Sequence, residues 1–265
     1  MRCNALCRPR FRRPGEAAGR SDGPIDGAVH AAKLEGVTEP ANGRLPYRLI
    51  IFDFDGTLAD SAQWVLHALN DVAGLYGFRR ITAAEAAMLR GCDNRAIIRY
   101  LGVPFWKLPA IARHMRRRMA AEAESIHLFP GTVETLRGLS AAGATLAIVS
   151  SNAEETVRRI LGPELSSTIA AFECGASLFG KARRFRRVLR RLGVPPGAAI
   201  AIGDEGRDIE AARAAGIDTG AVTWGYATAD LLATRRPTVT FDRMEELAPR
   251  LLGGSPSGDG LVLQS

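Results

Sequence analysis

Four separated groups of residues carry side chains suited to moving a phosphoryl group: Asp53-Phe54-Asp55-Gly56-Thr57, Ser150-Ser151-Asn152, Lys181, and Gly203-Asp204-Glu205-Gly206-Arg207-Asp208. A carboxylate such as Asp53 can take the phosphoryl group as a covalent intermediate, which splits one hard step into two. Asp53 and a phosphate dianion repel each other, so a divalent cation and the Lys181 ammonium must offset that charge. Mg2+ takes oxygen ligands and keeps several waters, which suits Asp53, Asp204 and a backbone carbonyl near Asp55. Asp55, just past the nucleophile, can protonate the leaving oxygen and then activate the water that hydrolyses the acyl phosphate. Gly56 admits close backbone approach, and nearby amides can donate to phosphate oxygens. Taken singly, each group has a bland explanation: a surface turn for Asp-x-Asp, a helix cap for Asp204, a strand end for Ser150, a basic face for Lys181. Their order makes them one site.

The elements that must position these groups alternate. The apolar run Leu49-Ile50-Ile51-Phe52 leads directly into Asp53. Further strands are expected at Ala144–Ser150, Ile169–Cys174, Ala199–Ile202, Gly220–Trp224 and Val239–Phe241, and helices at Val133–Ala142, Glu154–Leu161, Ala182–Leu192, Asp208–Ala215 and Ala229–Ala233. Strands alternating with helices predict an α/β fold with a doubly wound parallel sheet. In such sheets ligands bind beyond the carboxyl ends of the strands, where these groups fall. A helical block over 61–128 interrupts the rhythm and reads as an insertion. Trp64, Leu66, Leu69, Val72, Ala73 and Tyr76 make its first stripe, Thr82 and Glu85 form a capping box, and Met115 and Met119 lie on a helix ending near Ile126. The division is therefore an α/β core of 46–60 and 129–252 with a helical insertion of 61–128. Residues 1–45 lack any sustained apolar period and read as a disordered extension, and 253–265 as a loose tail. An organellar transit peptide is one reading of the Arg-rich start, against which stands the absence of a clear amphipathic helix.

Composition bounds the rest. Of 265 residues, 46% are apolar and 24% charged, the balance of an ordinary soluble domain, and no apolar run reaches membrane-span length. Four cysteines without framework spacing argue for a reducing compartment, and the expectation is a cytoplasmic protein. The net charge of +7 includes Arg116-Arg117-Arg118 and a basic run from Lys181 to Arg191. Nucleic-acid binding is the sharp reading of such clusters and a solvated helix face the bland one. Phe185, Val188, Leu189 and Leu192 recur at helical spacing between the arginines, and only Phe185 interleaves an aromatic, which favours the solvated face.

Phe52-Asp53-Phe54-Asp55-Gly56-Thr57-Leu58 resembles the signature of the haloacid dehalogenase superfamily of phosphohydrolases. The remaining motifs match in order: Ser150, Lys181, and Gly203-Asp204-x-x-x-Asp208 leading into Ala211-Ala212-x-x-Ala215-Gly216. The likeness runs from about Leu49 to Leu252. It implies a Rossmann-like core, an inserted helical cap and Mg2+, with Asp53 as nucleophile, Asp55 as acid and base, and Ser150 as phosphate ligand. By the same likeness Lys181 bridges phosphate and nucleophile, and Asp204 and Asp208 hold the metal. Gly56, Thr57, Ser151 and Asn152 complete the expected phosphate cradle. Asp55 favours phosphate substrates, because dehalogenases of this superfamily lack that second aspartate. The stretch from Val222-Thr223-Trp224-Gly225-Tyr226 to Glu246-Leu247 is similar to phosphoglycolate phosphatases. Glu205 departs from their pattern of Ser or Thr and leaves open which acid of the pair is the inner metal ligand. The loop Leu89-Arg90-Gly91-Cys92-Asp93-Asn94-Arg95 resembles the cap segment over the active site in relatives, where Arg90 and Arg95 would grip a substrate carboxylate. The expectation is a monomeric or homodimeric Mg2+-dependent phosphatase of small phosphorylated metabolites, with phosphoglycolate leading. Three rivals stand: a phosphotransferase or mutase resembling β-phosphoglucomutase, a phospho-acceptor signalling module, and a basic nucleic-acid-binding protein. The helical insertion counts against the signalling module.

Overall fold

The computed structural model describes residues 46–175 and 180–253. The expected disordered extension and all but the first residue of the loose tail lie outside the described residues. Among the described residues eight strands occur in chain order: β1 (Leu49–Phe52), β2 (Ala59–Asp60), β3 (His127–Leu128), β4 (Thr145–Val149), β5 (Ile169–Glu173), β6 (Ala199–Gly203), β7 (Asp218–Val222) and β8 (Val239–Phe241). Six of them form one parallel sheet in the order β5-β4-β1-β6-β7-β8. Counting only the sheet's own strands, this is the Rossmann order, which reverses direction between β1 and β6. Each strand pairs in parallel with its neighbours, so helical crossovers must cover both faces.

Alternation along β1 shows how both faces fill. Ile50 and Phe52 pack with Leu136, Leu139, Val157 and Leu161, from helices α5 (Thr132–Ala141) and α6 (Glu154–Thr168). Leu49 and Ile51 pack instead with Phe185, Val188, Leu189 and Ala212, from α7 (Lys181–Leu192) and α8 (Gly206–Ala214). On α7 the intervening Arg186, Arg187, Arg190 and Arg191 are exposed, so this basic run is the solvated face of an amphipathic helix. Arg187 additionally reaches the buried carboxylate of Glu173 at 3.1 Å.

Between β2 and β3 the chain forms four helices, α1 (Ala62–Tyr76), α2 (Ala83–Leu89), α3 (Asn94–Leu101) and α4 (Leu108–Ala121). They share their own apolar cluster around Val72, Ile81, Leu89, Leu101, Val103 and Ile111. The expected capping box at the start of α2 is formed by Thr82 and Glu85. Both chain crossings into this insert run side by side, because β2 and β3 pair antiparallel and Phe129 N donates to Leu58 O at 2.9 Å. So short a pair has no sequence period, which is why sequence reasoning missed it.

Several boundaries differ from the sequence-based expectation. The helix expected to stop at Leu161 continues to Thr168 as two segments meeting at Gly162, whose φ of 77° breaks the helical path before Pro163. The strand expected at Gly220–Trp224 is Asp218–Val222, and the helix expected from Asp208 starts at Gly206. The last insert helix ends at Ala121, and a 3-10 turn fills the distance to Ile126. Past β7 come α9 (Ala229–Thr234) and, after β8, α10 (Leu247–Leu251).

Candidate active site

Asp53 is the first residue beyond β1, and its amide donates to Ile202 O of β6 at 2.8 Å. It therefore stands at the point where the sheet order reverses, with Asp204 just beyond the end of the adjacent β6. Asp53, Asp204 and Asp208 are all buried, and one carboxylate oxygen from each lies within 4.8 Å of the other two. Lys181, the first residue of α7, places its ammonium 2.8 Å from Asp53 Oδ2 and 2.6 Å from Asp208 Oδ1. Phe54 N donates to the other Asp53 oxygen at 2.8 Å, so both oxygens of the expected nucleophile are oriented.

Glycines let the backbone come this close. Gly56 has a φ of 74°, and a side chain there would run into the Asp204 carboxylate. A side chain at Gly225 would overlap both Asp204 and Gly56 O. The loop after β7 is thereby wedged against the first motif, and Tyr226 N donates to Asp204 Oδ2 at 2.7 Å.

Three carboxylates around one lysine make a costly cluster. Burial, only partly offset by Lys181, pushes Asp53 up to about 7. Burial, together with Glu205, Asp208 and Asp53, holds the Asp204 carboxyl well above the usual carboxylate range. Burial alone would lower Lys181, but Asp208 and Asp53 outweigh it and keep the ammonium charged. A hard divalent cation fits such a set, since its three carboxylates share Lys181 and a neighbouring Arg207 that also serves Glu205.

The Asp55 side chain lies outside this acidic trio. Ser61 Oγ donates to its Oδ1 at 3.1 Å and Asn152 Nδ2 to its Oδ2 at 2.7 Å. Burial pushes the Asp55 carboxyl up, while those two hydrogen bonds pull it down. Asn152 and Thr57, expected in the phosphate cradle, direct these groups elsewhere: Thr57 is fully buried and donates to Asp204 Oδ1 at 3.0 Å. Ser150 is buried, and its Oγ accepts from Asn152 N at 3.1 Å. Ser151 lines the cavity together with Asp53 and Lys181.

That cavity, about 580 Å³, lies between the strand ends and the insert. Arg90 and Arg95 both line it, in different ways. The Arg90 guanidinium donates to Gly225 O at 3.0 Å and Tyr226 O at 3.2 Å. Arg95 is exposed and, among the described residues, makes no ion pair. Glu205 does not join the acidic trio, because Arg207 Nε donates to its carboxylate at 2.6 Å. Sequence reasoning missed Ser61, Arg207 and the role of Tyr226. The only available signal for Arg207 was its opposite charge near Glu205.

Parallel sheet, helical insert and strand-end acids beside a buried lysine define a phosphohydrolase with a Rossmann-like core. The family model of the haloacid dehalogenase-like hydrolases matches residues 50–222, and the chain belongs to that family. It is 33% identical over 199 residues to a phosphoglycolate phosphatase of Synechococcus elongatus, covering 75% of this chain and 94% of that one. It is 31% identical over 217 residues to the phosphoglycolate phosphatase of Agrobacterium fabrum, covering 77% and 91%. Tyrosine-protein kinase PtkA of Mycobacterium tuberculosis is 32% identical over 212 residues, covering 75% and 72%. Among solved structures, a predicted phosphatase from Clostridium acetobutylicum shares the fold with a TM-score of 0.68 at 20% identity, covering 78% and 98%. These relationships place the chain with phosphoric monoester hydrolases similar to phosphoglycolate phosphatases. No helix among the described residues is long and apolar enough to cross a membrane.

Proposed function

We propose that this protein hydrolyses small phosphate monoesters through an aspartyl phosphate on Asp53, with Mg2+ as cofactor and phosphoglycolate as the leading substrate. The observation that carries the reading is the buried trio of Asp53, Asp204 and Asp208 beside Lys181, with Asp53 and Lys181 lining the cavity beneath the insert. Bound Mg2+, held by Asp53, Asp204 and Asp208, supplies the positive charge that lets a phosphate dianion approach a carboxylate. Asp53 attacks phosphorus, and Lys181 offsets the charge between the two. Asp55 gives its proton to the leaving oxygen and takes one from the water that cleaves the acyl phosphate. Ser151 lines the cavity beside Asp53 and Lys181 and would meet the phosphate oxygens, with Ser150 and the amides around Gly56 behind it, and the insert acts as a cap that excludes bulk water.

A phosphotransferase uses the same first half-reaction, and the named kinase among the relatives keeps that reading in view. The test is a screen of phosphorylated metabolites with purified protein and Mg2+, following inorganic phosphate and transfer to added alcohols or tyrosyl peptides. Phosphate release dominated by phosphoglycolate is expected, and transfer exceeding release would overturn the hydrolase reading.

With Arg90 tied to the core, Arg95 is the cap residue left to meet a substrate carboxylate. Arg95→Ala is expected to raise KM for phosphoglycolate about tenfold, the scale of one exposed charge-assisted contact. An uncharged aryl phosphate should change less than twofold, and equal losses on both would count against Arg95 as the carboxylate contact.

The acid cluster also predicts how metal and pH act on stability. Asp53 and Asp204 bind protons more tightly folded than unfolded, so their contribution is most favourable at low pH. It is lost as pH rises from the ordinary carboxylate range through about 7. Chelator-treated protein should lose on the order of a few kcal/mol between about pH 5 and pH 8, and Mg2+ should restore most of it at the upper end. Urea midpoints with and without Mg2+ at both pH values check this; a flat profile insensitive to Mg2+ would contradict the cation site.

A further inference from the structure

Tyr226 stands where the metal-side acid, the expected acid and base, and the insert meet. Ser61 Oγ donates to Asp55 Oδ1, and a hydroxyl has one proton. The 2.6 Å contact between Ser61 Oγ and the Tyr226 phenol is therefore donated by Tyr226. Asp55 is thus held by a short arm from Asn152 and a longer arm that runs through Ser61 and ends on Tyr226. Ser61 is fully buried and Tyr226 lines the cavity, so this arm runs from Asp55 through the interior and ends at the cavity wall.

Tyr226 is itself fixed on three sides. Its amide donates to Asp204 Oδ2 at 2.7 Å, and its carbonyl accepts from Arg90 Nε at 3.2 Å. Thr228 N donates back to Arg90 O at 3.0 Å, which closes a two-way contact between insert and core. The preceding Gly225 packs so closely on Asp204 and Gly56 O that the segment cannot sink further.

We propose that Tyr226 is a positioning residue for Asp55: through Ser61 it fixes the carboxyl that handles the leaving-group proton, from a segment that Arg90 anchors to the insert. Tyr226 exchanges no proton with substrate; it restricts rotation of the group that does. The inference rests on the reading of Asp55 as acid and base. Loss of the arm should slow departure of a poor leaving group, which needs the proton, and spare a good one, which does not.

The test uses the full chain with Mg2+ and rapid quench, measuring first-turnover release of the alcohol or phenol. The substrates are the best alkyl monoester of the wild type, phosphoglycolate first, and 4-nitrophenyl phosphate. Tyr226→Phe keeps the backbone contacts and removes only the hydroxyl. It should slow alkyl release about tenfold, with KM changed less than twofold and nitrophenol release nearly unaffected. Ser61→Ala should behave alike, and the double variant should be no slower than Ser61→Ala, since both break one arm. Equal slowing on the two substrates, or additive losses in the double variant, would overturn the inference. Asp55→Asn is the control for the underlying reading, with an expected alkyl-selective loss of ~10²–10⁴-fold. If that selectivity is missing in Asp55→Asn, the acid and base assignment falls; if it is present there and absent in Tyr226→Phe, only the role of Tyr226 falls.

Discussion

Asp53→Asn is expected to abolish turnover, by at least ~10⁴-fold, while leaving the fold intact. Asp53 follows a fully buried strand, with Phe54 N on one oxygen and Lys181 Nζ on the other. Such a carboxylate is aimed before substrate arrives, and orientation of this kind is a large part of what a nucleophile contributes. Asparagine keeps the shape and an acceptor for Phe54 N, but its amide is a poor nucleophile and carries no charge for Lys181 to meet. The covalent route then closes entirely rather than slowing. Intact-protein mass spectrometry after acid quench, with acetyl phosphate as donor, should show one phosphoryl group on the wild type and none on Asp53→Asn. Phosphate found on another residue, or retained turnover in the variant, would remove Asp53 from the mechanism.

What the sequence made legible follows from where burial is two-sided. A strand covered on both faces is written as an unbroken apolar run, so Leu49-Ile50-Ile51-Phe52 announced both the strand and the sheet edge at which Asp53 stands. The amphipathic α7 was readable for the same kind of reason, because Phe185, Val188 and Leu189 mark its buried face. Side-chain pairing was not readable. Glu205 looked like a rival metal ligand, and only geometry shows Arg207 holding it. Thr57 and Asn152 carry the donors a phosphate cradle needs, yet their hydrogen bonds run to Asp204 and Asp55. Tyr226 and Ser61 meet across 165 positions, and Arg90 and Gly225 across 135, distances at which no local pattern exists. Residue type states what a side chain can do, while the partner that engages it is a property of the fold.

Lys181→Ala is expected to lower kcat/KM by ~10²–10³-fold or more, the scale of removing one preorganised electrostatic contact from a buried site. The ammonium touches both Asp53 and Asp208, and its side chain is 10% exposed. Removing it leaves two buried carboxylates facing each other, which costs ~3–5 kcal/mol when both stay charged. Folding can escape part of that cost by binding a proton, so the stability loss should be smaller at about pH 5 than at about pH 8. Activity has no such escape, because a protonated Asp53 is no nucleophile. Arg191 provides the comparison: it lies on the same helix, is exposed and, among the described residues, makes no ion pair. Arg191→Ala should leave both kcat/KM and the urea midpoint nearly unchanged, as befits a charge on a solvated face. The two variants remove one positive charge each from one helix, so any difference between them measures position rather than net charge. Equal, small effects would mean that the buried contacts of Lys181 do not serve catalysis, and the charge offset at Asp53 would have to come from elsewhere.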